Sequence, residues 1–420
     1  MAVREGYKQT DMGLIPLEWD VKEFEEVMEG FSSGQTPYRA IANYYKGDIP
    51  WVTSGELNYN VITETIEKIS IEGVRAANLK MIPKGTFLFA ITGLEAAGTR
   101  GSCAITGIEV TTNQSCMALY PKKNLLITPF LYHYYVKFGN ELAFEYCQGT
   151  KQQSYTGAIA KKLPIIVPPS IEEQTAIATA LSDADALITY LEKLIKKKRD
   201  IKQGAMQELL RPKAGWVVKN LGEIADENKK WSFTGGPFGS NLKSSDYTEN
   251  GIRIIQLQNI GDSVFNNESE VFTSKSKADE LISCNIYPGE IILSKMGDPV
   301  ARACIIPNNH DRYLMCSDGI RLAVNEKEYN TYFIYAYINS PAFRVIAENN
   351  STGSTRKRIG LSQLRSLELK IPKLGDQIAV AEILSSMEEE ITTLEKKLSK
   401  YKILKLGIMQ ELLTGKTRLI

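Results

Sequence analysis

The sequence predicts an α+β chain with a pseudo-two-fold internal repeat: two homologous mixed α/β domains separated by two long antiparallel coiled-coil helices. Three observations predict it. The first is repetition. Gly204-Ala-Met-Gln-Glu-Leu-Leu210 returns 203 residues later as Gly407-Ile-Met-Gln-Glu-Leu-Leu413, and at that spacing Gln174, Leu181, Ile188 and Leu191 fall on Gln377, Leu384, Ile391 and Leu394. So long a period means two homologous halves, not a solenoid. The second is an apolar seam of coiled-coil spacing, in the same register in both halves. The third is length: 420 residues, at roughly 150 per domain, give two or three domains.

Residues 1–166 form the first domain, with an N-terminal tail. Short β-branched or aromatic runs such as residues 86–92, bounded by Gly, Pro and Asn, read as strands. A long helix occupies residues 167–213, opened by the breaker Val167-Pro-Pro169. Its seam carries Ile177, Leu181, Ile188, Leu191, Ile195 and Leu209, with Ala184, Lys198, Lys202 and Ala205 between them, in alternating steps of four and three. The second domain, residues 214–370, repeats the strand signals at 252–257 and 290–293. Ile49-Pro-Trp-Val52 falls on Ile252-Arg-Ile-Ile255, and Thr128-Pro-Phe-Leu-Tyr132 on Thr331-Tyr-Phe-Ile-Tyr335. Residues 371–420 hold the second helix and a C-terminal tail, with Val380, Leu384, Met387, Ile391, Leu394, Leu398 and Leu412 on its seam. A seam of this length makes a helix of about 50 Å at ~1.5 Å per residue. That is longer than one domain usually covers, which favours a coiled coil over a helix lying on its own domain. The linker Arg211-Pro-Lys-Ala-Gly215 spans at most about 18 Å. The second domain is therefore expected at the far end of the first helix, with the second helix returning antiparallel to make a dumbbell.

Composition narrows the function. Fifty Lys+Arg against 49 Asp+Glu leave a formal charge of +1, which argues against a polyanion-coating protein but leaves room for a local basic groove. No apolar run approaches the ~18 residues of a membrane span, and the polar N-terminus lacks a signal-peptide core. A cytoplasmic protein is expected. Cys103, Cys116, Cys147, Cys284, Cys304 and Cys316 form no CxxC pair, so reduced thiols on buried strands are expected rather than a zinc or disulfide framework. Catalytic motifs fail one by one. Gly415-Lys-Thr417 ends like a phosphate loop, but Gln410 stands where that loop needs Gly. Gly235-Gly-Pro-Phe-Gly239 is not a dinucleotide fingerprint, and no Asn/Asp-Pro-Pro-aromatic tetrapeptide occurs. Neither His133 nor His310 stands beside an obvious nucleophile in sequence. The expectation is a chain without catalysis and without a metal site.

Binding features are better supported. Polar, glycine-punctuated loops follow strands at matched places in the two halves. In the first they supply Thr53, Ser54, Glu56, Thr92, Thr99, Arg100, Lys151, Gln152 and Gln153. In the second they supply Lys243, Gln256, Gln258, Asn259, Lys295, Arg302, Ser354, Thr355, Arg356, Lys357 and Arg358. These residue types hydrogen-bond base edges and phosphates, and Arg356-Lys-Arg358 is the best local phosphate patch. For any one residue, a solvated loop remains the simpler reading.

The chain resembles the specificity subunit of type I restriction–modification systems. The resemblance rests on Tyr7-Lys-Gln-Thr-Asp-Met-Gly-Leu-Ile-Pro-Leu-Glu-Trp19, Val167-Pro-Pro-Ser-Ile-Glu-Glu-Gln174, Gly236-Pro-Phe-Gly-Ser-Asn-Leu242, Met206-Gln-Glu-Leu-Leu210 and Met409-Gln-Glu-Leu-Leu-Thr-Gly-Lys416. It covers essentially the whole length. One departure is Pro372-Lys-Leu-Gly-Asp-Gln377, a residue shorter than its first-half counterpart. The resemblance implies two target-recognition domains on double-stranded DNA, each reading one half of a split site, with the paired helices as spacers. It also implies partners: two methylation subunits that bind S-adenosylmethionine, and restriction subunits that use ATP and Mg2+, with no cofactor in this chain. Two other classes are a coiled-coil adaptor with two protein-binding heads and a chain fusing recognition to methylation or cleavage.

Overall fold

The computed structural model describes residues 5–95, 98–149, 153–353 and 356–420. It divides into two compact units, Met1–Glu192 with Lys397–Ile420, and Lys193–Lys396. The division cuts through both long helices, so it differs from the four consecutive segments expected from the sequence. The helices run Ile171–Leu209 and Leu374–Leu412, 39 residues each. The first starts later than Val167 because residues 164–167 pair as a strand with Asp20–Glu23. Ser170 then caps it, its hydroxyl accepting from the backbone N–H of Glu172 and Glu173.

In the first unit a five-stranded sheet runs in the order Met28–Ser33, Cys116–Pro121, Phe87–Ala90, Cys103–Thr106, Asn60–Ile62, antiparallel except for the last pair. Thr111–Thr112, Ile49–Val52 and Glu67–Ile69 make a smaller sheet. The helix Thr128–Tyr146 packs on the larger one, the Tyr135 ring meeting Phe87 and Phe89 edge-on at 5.5 and 5.2 Å.

The second unit repeats this plan with altered strand counts. Its four-stranded antiparallel sheet orders Phe233–Gly235, Gly319–Leu322, Ile291–Ser294 and Ala303–Ile305. A five-stranded sheet contains Ile252–Ile255 paired in parallel with Tyr313–Met315. Thr331–Ile338 and Pro341–Asn349 replace the single long domain helix. Arg321 and Glu290 form a buried two-point ion pair at 2.7 and 2.6 Å inside the first sheet.

Both units use the repeated residues alike. Gln174 is fully buried; its Oε1 accepts from the Ile127 N–H, and its amide donates to the Leu125 and Pro168 carbonyls. Gln377 does the same with the Asn330 N–H and the Pro372 carbonyl. The repeated glutamine thus locks the start of each long helix to the start of a domain helix, so the shorter Pro372–Gln377 segment leaves the joint intact. In the first unit Met409, Leu412 and Leu413 enter the core with Ile177 and Leu181. In the second, Leu210 enters the core with Leu384, and Met206 and Leu209 pack against it. The repeated Met-Gln-Glu-Leu-Leu segment is therefore a docking foot at the end of each helix.

Every seam position in both helices is buried or half-buried. Ion pairs flank the seam within each unit: Lys198–Glu390 at 2.7 Å, Arg199–Glu395 at 2.6 Å and Lys202–Glu388 in the second, Lys402–Glu192 at 2.7 Å and Lys405–Asp185 at 2.5 Å in the first. From Asp185–Lys405 to Glu192–Lys402 in the first unit, and from Lys198–Glu390 to Lys202–Glu388 in the second, numbers rise along one helix and fall along the other, so the pairing is antiparallel. Cys103, Cys116 and Cys304 are buried on strands as expected. Cys284 is buried in a short turn of helix instead, and Cys147 and Cys316 are half-buried outside strands. Among the described residues no helix is long and apolar enough to cross a membrane.

Candidate nucleic-acid interface

The matched loops assemble in the same way in each domain. In the first, Ser154 exchanges backbone hydrogen bonds with Gln148 at 2.9 and 3.0 Å and bridges to Thr92, while the Leu94 N–H donates to the Gln153 carbonyl. In the second, Arg358 exchanges bonds with Thr352 at 2.8 Å and bridges to Met296, while the Gly297 N–H donates to the Lys357 carbonyl. The loop after the central strand and the loop after the domain helix are thus one stitched surface. Thr92, Thr99, Arg100 and Gln153 come together on it in the first domain; Lys295, Lys357 and Arg358 do so in the second. Lys151, Gln152, Ser354 and Thr355 lie outside the described residues.

Several expected contact residues turn inward. Glu56 accepts from both the N–H and the hydroxyl of Thr53 through one oxygen and from the Ile66 N–H through the other. Asn259 is 1% exposed: its Oδ1 accepts from the Gln256 N–H, and its amide donates to the Asn266 and Ser269 carbonyls. These two residues brace matched turns; Asn259 is buried with its amide fully engaged and leaves the interface, whereas Glu56 is half-buried with its carboxylate turned to the turn backbone. Arg100 donates to the carbonyls of Leu94 and Glu95, and Arg302 to those of Ile260 and Leu257. Their guanidinium groups hold loops closed. The Arg356-Lys-Arg358 patch is also weaker than expected. Lys357 is paired with Glu348 at 3.0 Å and Arg358 with Asp318 at 3.3 Å, whereas Arg356 is exposed and, among the described residues, forms no ion pair.

Thr53 and Ser54 are half-exposed, Gln258 and Lys243 exposed. Gln256 lies against Gln258, whose amide also reaches Ser269. In the second domain a cleft of about 660 Å³ is lined by Lys295, Arg358, Ser317, Ser283, Asn241 and Phe238. Lys295 donates to the Ser317 carbonyl at 2.9 Å, and burial holds its ammonium below the usual lysine range. An amine and a guanidinium facing one open cleft can hold a phosphate. Phe238, 84% exposed in the same lining, is not among the polar residues expected from the sequence. Its signal in the sequence is the aromatic between Pro237 and Gly239.

One histidine has a neighbour that the sequence does not reveal. His133 does stand beside a hydroxyl, its Nε2 2.9 Å from Ser182 Oγ, with Asp185 4.0 Å from Nδ1. That separation is too long for a hydrogen bond, and Asp185 is paired with Lys405, so no hydrolytic triad is set up. Among the described residues no group of three or more His, Cys, Asp or Glu could hold a metal ion.

The family model described as type I restriction modification DNA specificity domain matches twice, over residues 16–203 and 213–401. The chain belongs to this specificity-subunit family. The type I specificity subunit has relatives in Methanocaldococcus jannaschii. The MjaIX specificity subunit is 26% identical, over 98% of this chain and 96% of its own length. The putative MjaX specificity subunit is 26% identical, over 99% of this chain and 97% of its own length. The crystal structure of the type I S subunit from M. genitalium shares the fold, with a TM-score of 0.59 at 15% identity and 98% of each chain covered. The specificity subunit is thus a DNA-specificity component of a type I complex, built from two copies of one recognition domain.

Proposed function

We propose that this specificity subunit reads a bipartite, asymmetric double-stranded DNA site, one half-site by each domain, and presents it to its partners. One observation carries the reading. The two domains stitch the same pair of loops together in the same register, yet place Thr92, Thr99 and Gln153 on one surface and Lys295, Lys357 and Arg358 on the other. A shared frame with different tips suits two different half-sites, because base edges are told apart by donor and acceptor pattern. The paired helices carry two methylation subunits, which bind S-adenosylmethionine and methylate adenine. Restriction subunits in the same complex use ATP and Mg2+ to cleave, and this chain holds no cofactor of its own.

The test is to sequence methylated adenines in DNA exposed to the chain together with its methylation subunits. The expected motif has two short specified blocks flanking an unspecified spacer. A single continuous block, or methylation without a motif, overturns the proposal. An adaptor with protein-binding heads would instead show no salt-dependent affinity for DNA.

A further inference from the structure

Each domain carries one more matched feature, built from apolar rather than polar residues. A Cβ on Gly34 would stand 1.8 Å from the Thr112 carbonyl oxygen, and one on Gly236 1.7 Å from the Cys316 carbonyl oxygen. No side chain fits, so at both places the backbone lies directly against the end of a neighbouring strand. Shortly beyond, Pro37 and Pro237 are buried. The next residue stands in solvent: Tyr38 is 71% and Phe238 84% exposed. Each aromatic opens a hydrogen-bonded turn, the Ile41 N–H donating to the Tyr38 carbonyl at 3.1 Å and the Asn241 N–H to the Phe238 carbonyl at 2.8 Å. The loop bases are tied as well. Trp51 Nε1 donates to the Gln35 carbonyl at 3.2 Å, the Tyr45 hydroxyl to the Pro37 carbonyl, and the Gly236 N–H to the Gly319 carbonyl at 2.8 Å.

A large apolar ring held in water is opposed by the hydrophobic effect. A ring held there twice, on a pinned glycine and a buried proline, is pre-ordered for a flat apolar partner. Phe238 shares its cleft with Lys295 and with Arg358, of which Arg358 is paired with Asp318 at 3.3 Å, so one positive charge is left over and the partner is also anionic. A base pair with its phosphates has both properties. A protein surface would be met by an apolar patch, not by one ring beside two cations.

We propose that Tyr38 and Phe238 are the base-stacking residues of the two domains, each wedging at a base-pair step of the half-site its own domain reads. This rests on the half-site reading above. Apolar wedges of this kind unstack a step and kink the duplex, and they add sequence preference through the ease with which that step opens.

The experiment uses the full chain with its methylation subunits, the mapped site, and duplexes carrying 2-aminopurine at each position in turn. Wild type raises fluorescence at one step in each half-site apart from the adenine that the methylation subunits flip out. Phe238→Ala abolishes the signal in one half-site only, weakens binding roughly 10-fold, as loss of one stacked ring does, and leaves the salt slope unchanged because no phosphate contact is removed. Tyr38→Ala acts on the other half-site alone, and Phe238→Trp retains the signal. The thermal transition is unchanged in each variant, since the rings are exposed. Three outcomes overturn the proposal: unchanged binding by Phe238→Ala, no unstacking signal in wild type, or a reduced salt slope. Wild type that selects no DNA sequence at all instead removes the half-site reading itself.

Discussion

His133 is 2% exposed on the domain helix of the first unit, and burial pushes its imidazole down from the usual 6.5 to about 4. Asp185 acts against this shift, and Lys405 with it. The folded chain therefore keeps His133 neutral where an unfolded chain would take up a proton. Between about pH 6.5 and 4 the unfolded state binds more protons, so stability falls as pH falls through that window, and below it the contribution is constant. The loss reaches about 3 kcal/mol at one pKa unit per ~1.4 kcal/mol. His133→Gln should flatten this segment of the urea-denaturation profile against pH; a profile as steep as wild type would place the dependence elsewhere. The interface loops show what sequence withholds. Polar residue types at matched loops were legible, and the fold brings several of them together in each domain. The direction of each side chain was not, because Glu56 is satisfied by the Ile66 N–H ten residues away and Asn259 by Asn266 and Ser269. Those partners are fixed by the fold of the turn, and no local pattern marks them.

At the scale of elements, the two long helices were legible because a coiled-coil seam repeats every seven residues and the register survives in both halves. Their ends were not. From Met206 and Met409 onward the apolar face meets a globular domain instead of a helix, and periodicity cannot name the partner. The helix Thr128–Tyr146 was missed for a related reason. Phe130, Leu131, His133, Tyr134, Tyr135, Phe138, Leu142 and Ala143 are all buried, which leaves a weak polar face to signal a helix. The pairing energetics follow from burial. Leu384→Ala removes a fully buried seam residue and should lower stability by about 2–5 kcal/mol. Neutralising Arg199, whose pair with Glu395 is largely exposed, should cost below about 1 kcal/mol. Equal losses in denaturant titration would mean that charge, not the apolar seam, holds the helices together.

At the scale of the molecule, the chain is one design used twice, and its docking feet are interchangeable in principle. Met206, Leu209 and Leu210 stand at the same places of the repeat as Met409, Leu412 and Leu413, which enter the core of the first unit. Residues 1–213 alone should therefore self-associate, the foot of each copy docking on the first domain of the other. This was readable from the sequence as a repeat; the structure adds the contact that makes it mechanical. The most direct measurement of the central claim, that each domain reads its own half-site, is to map methylated adenines produced with this half-molecule and compare them with the full chain's motif. The account predicts an inverted repeat whose two blocks both equal one block of the full-length motif. A motif unrelated to either block, or one retaining both different blocks, would contradict it.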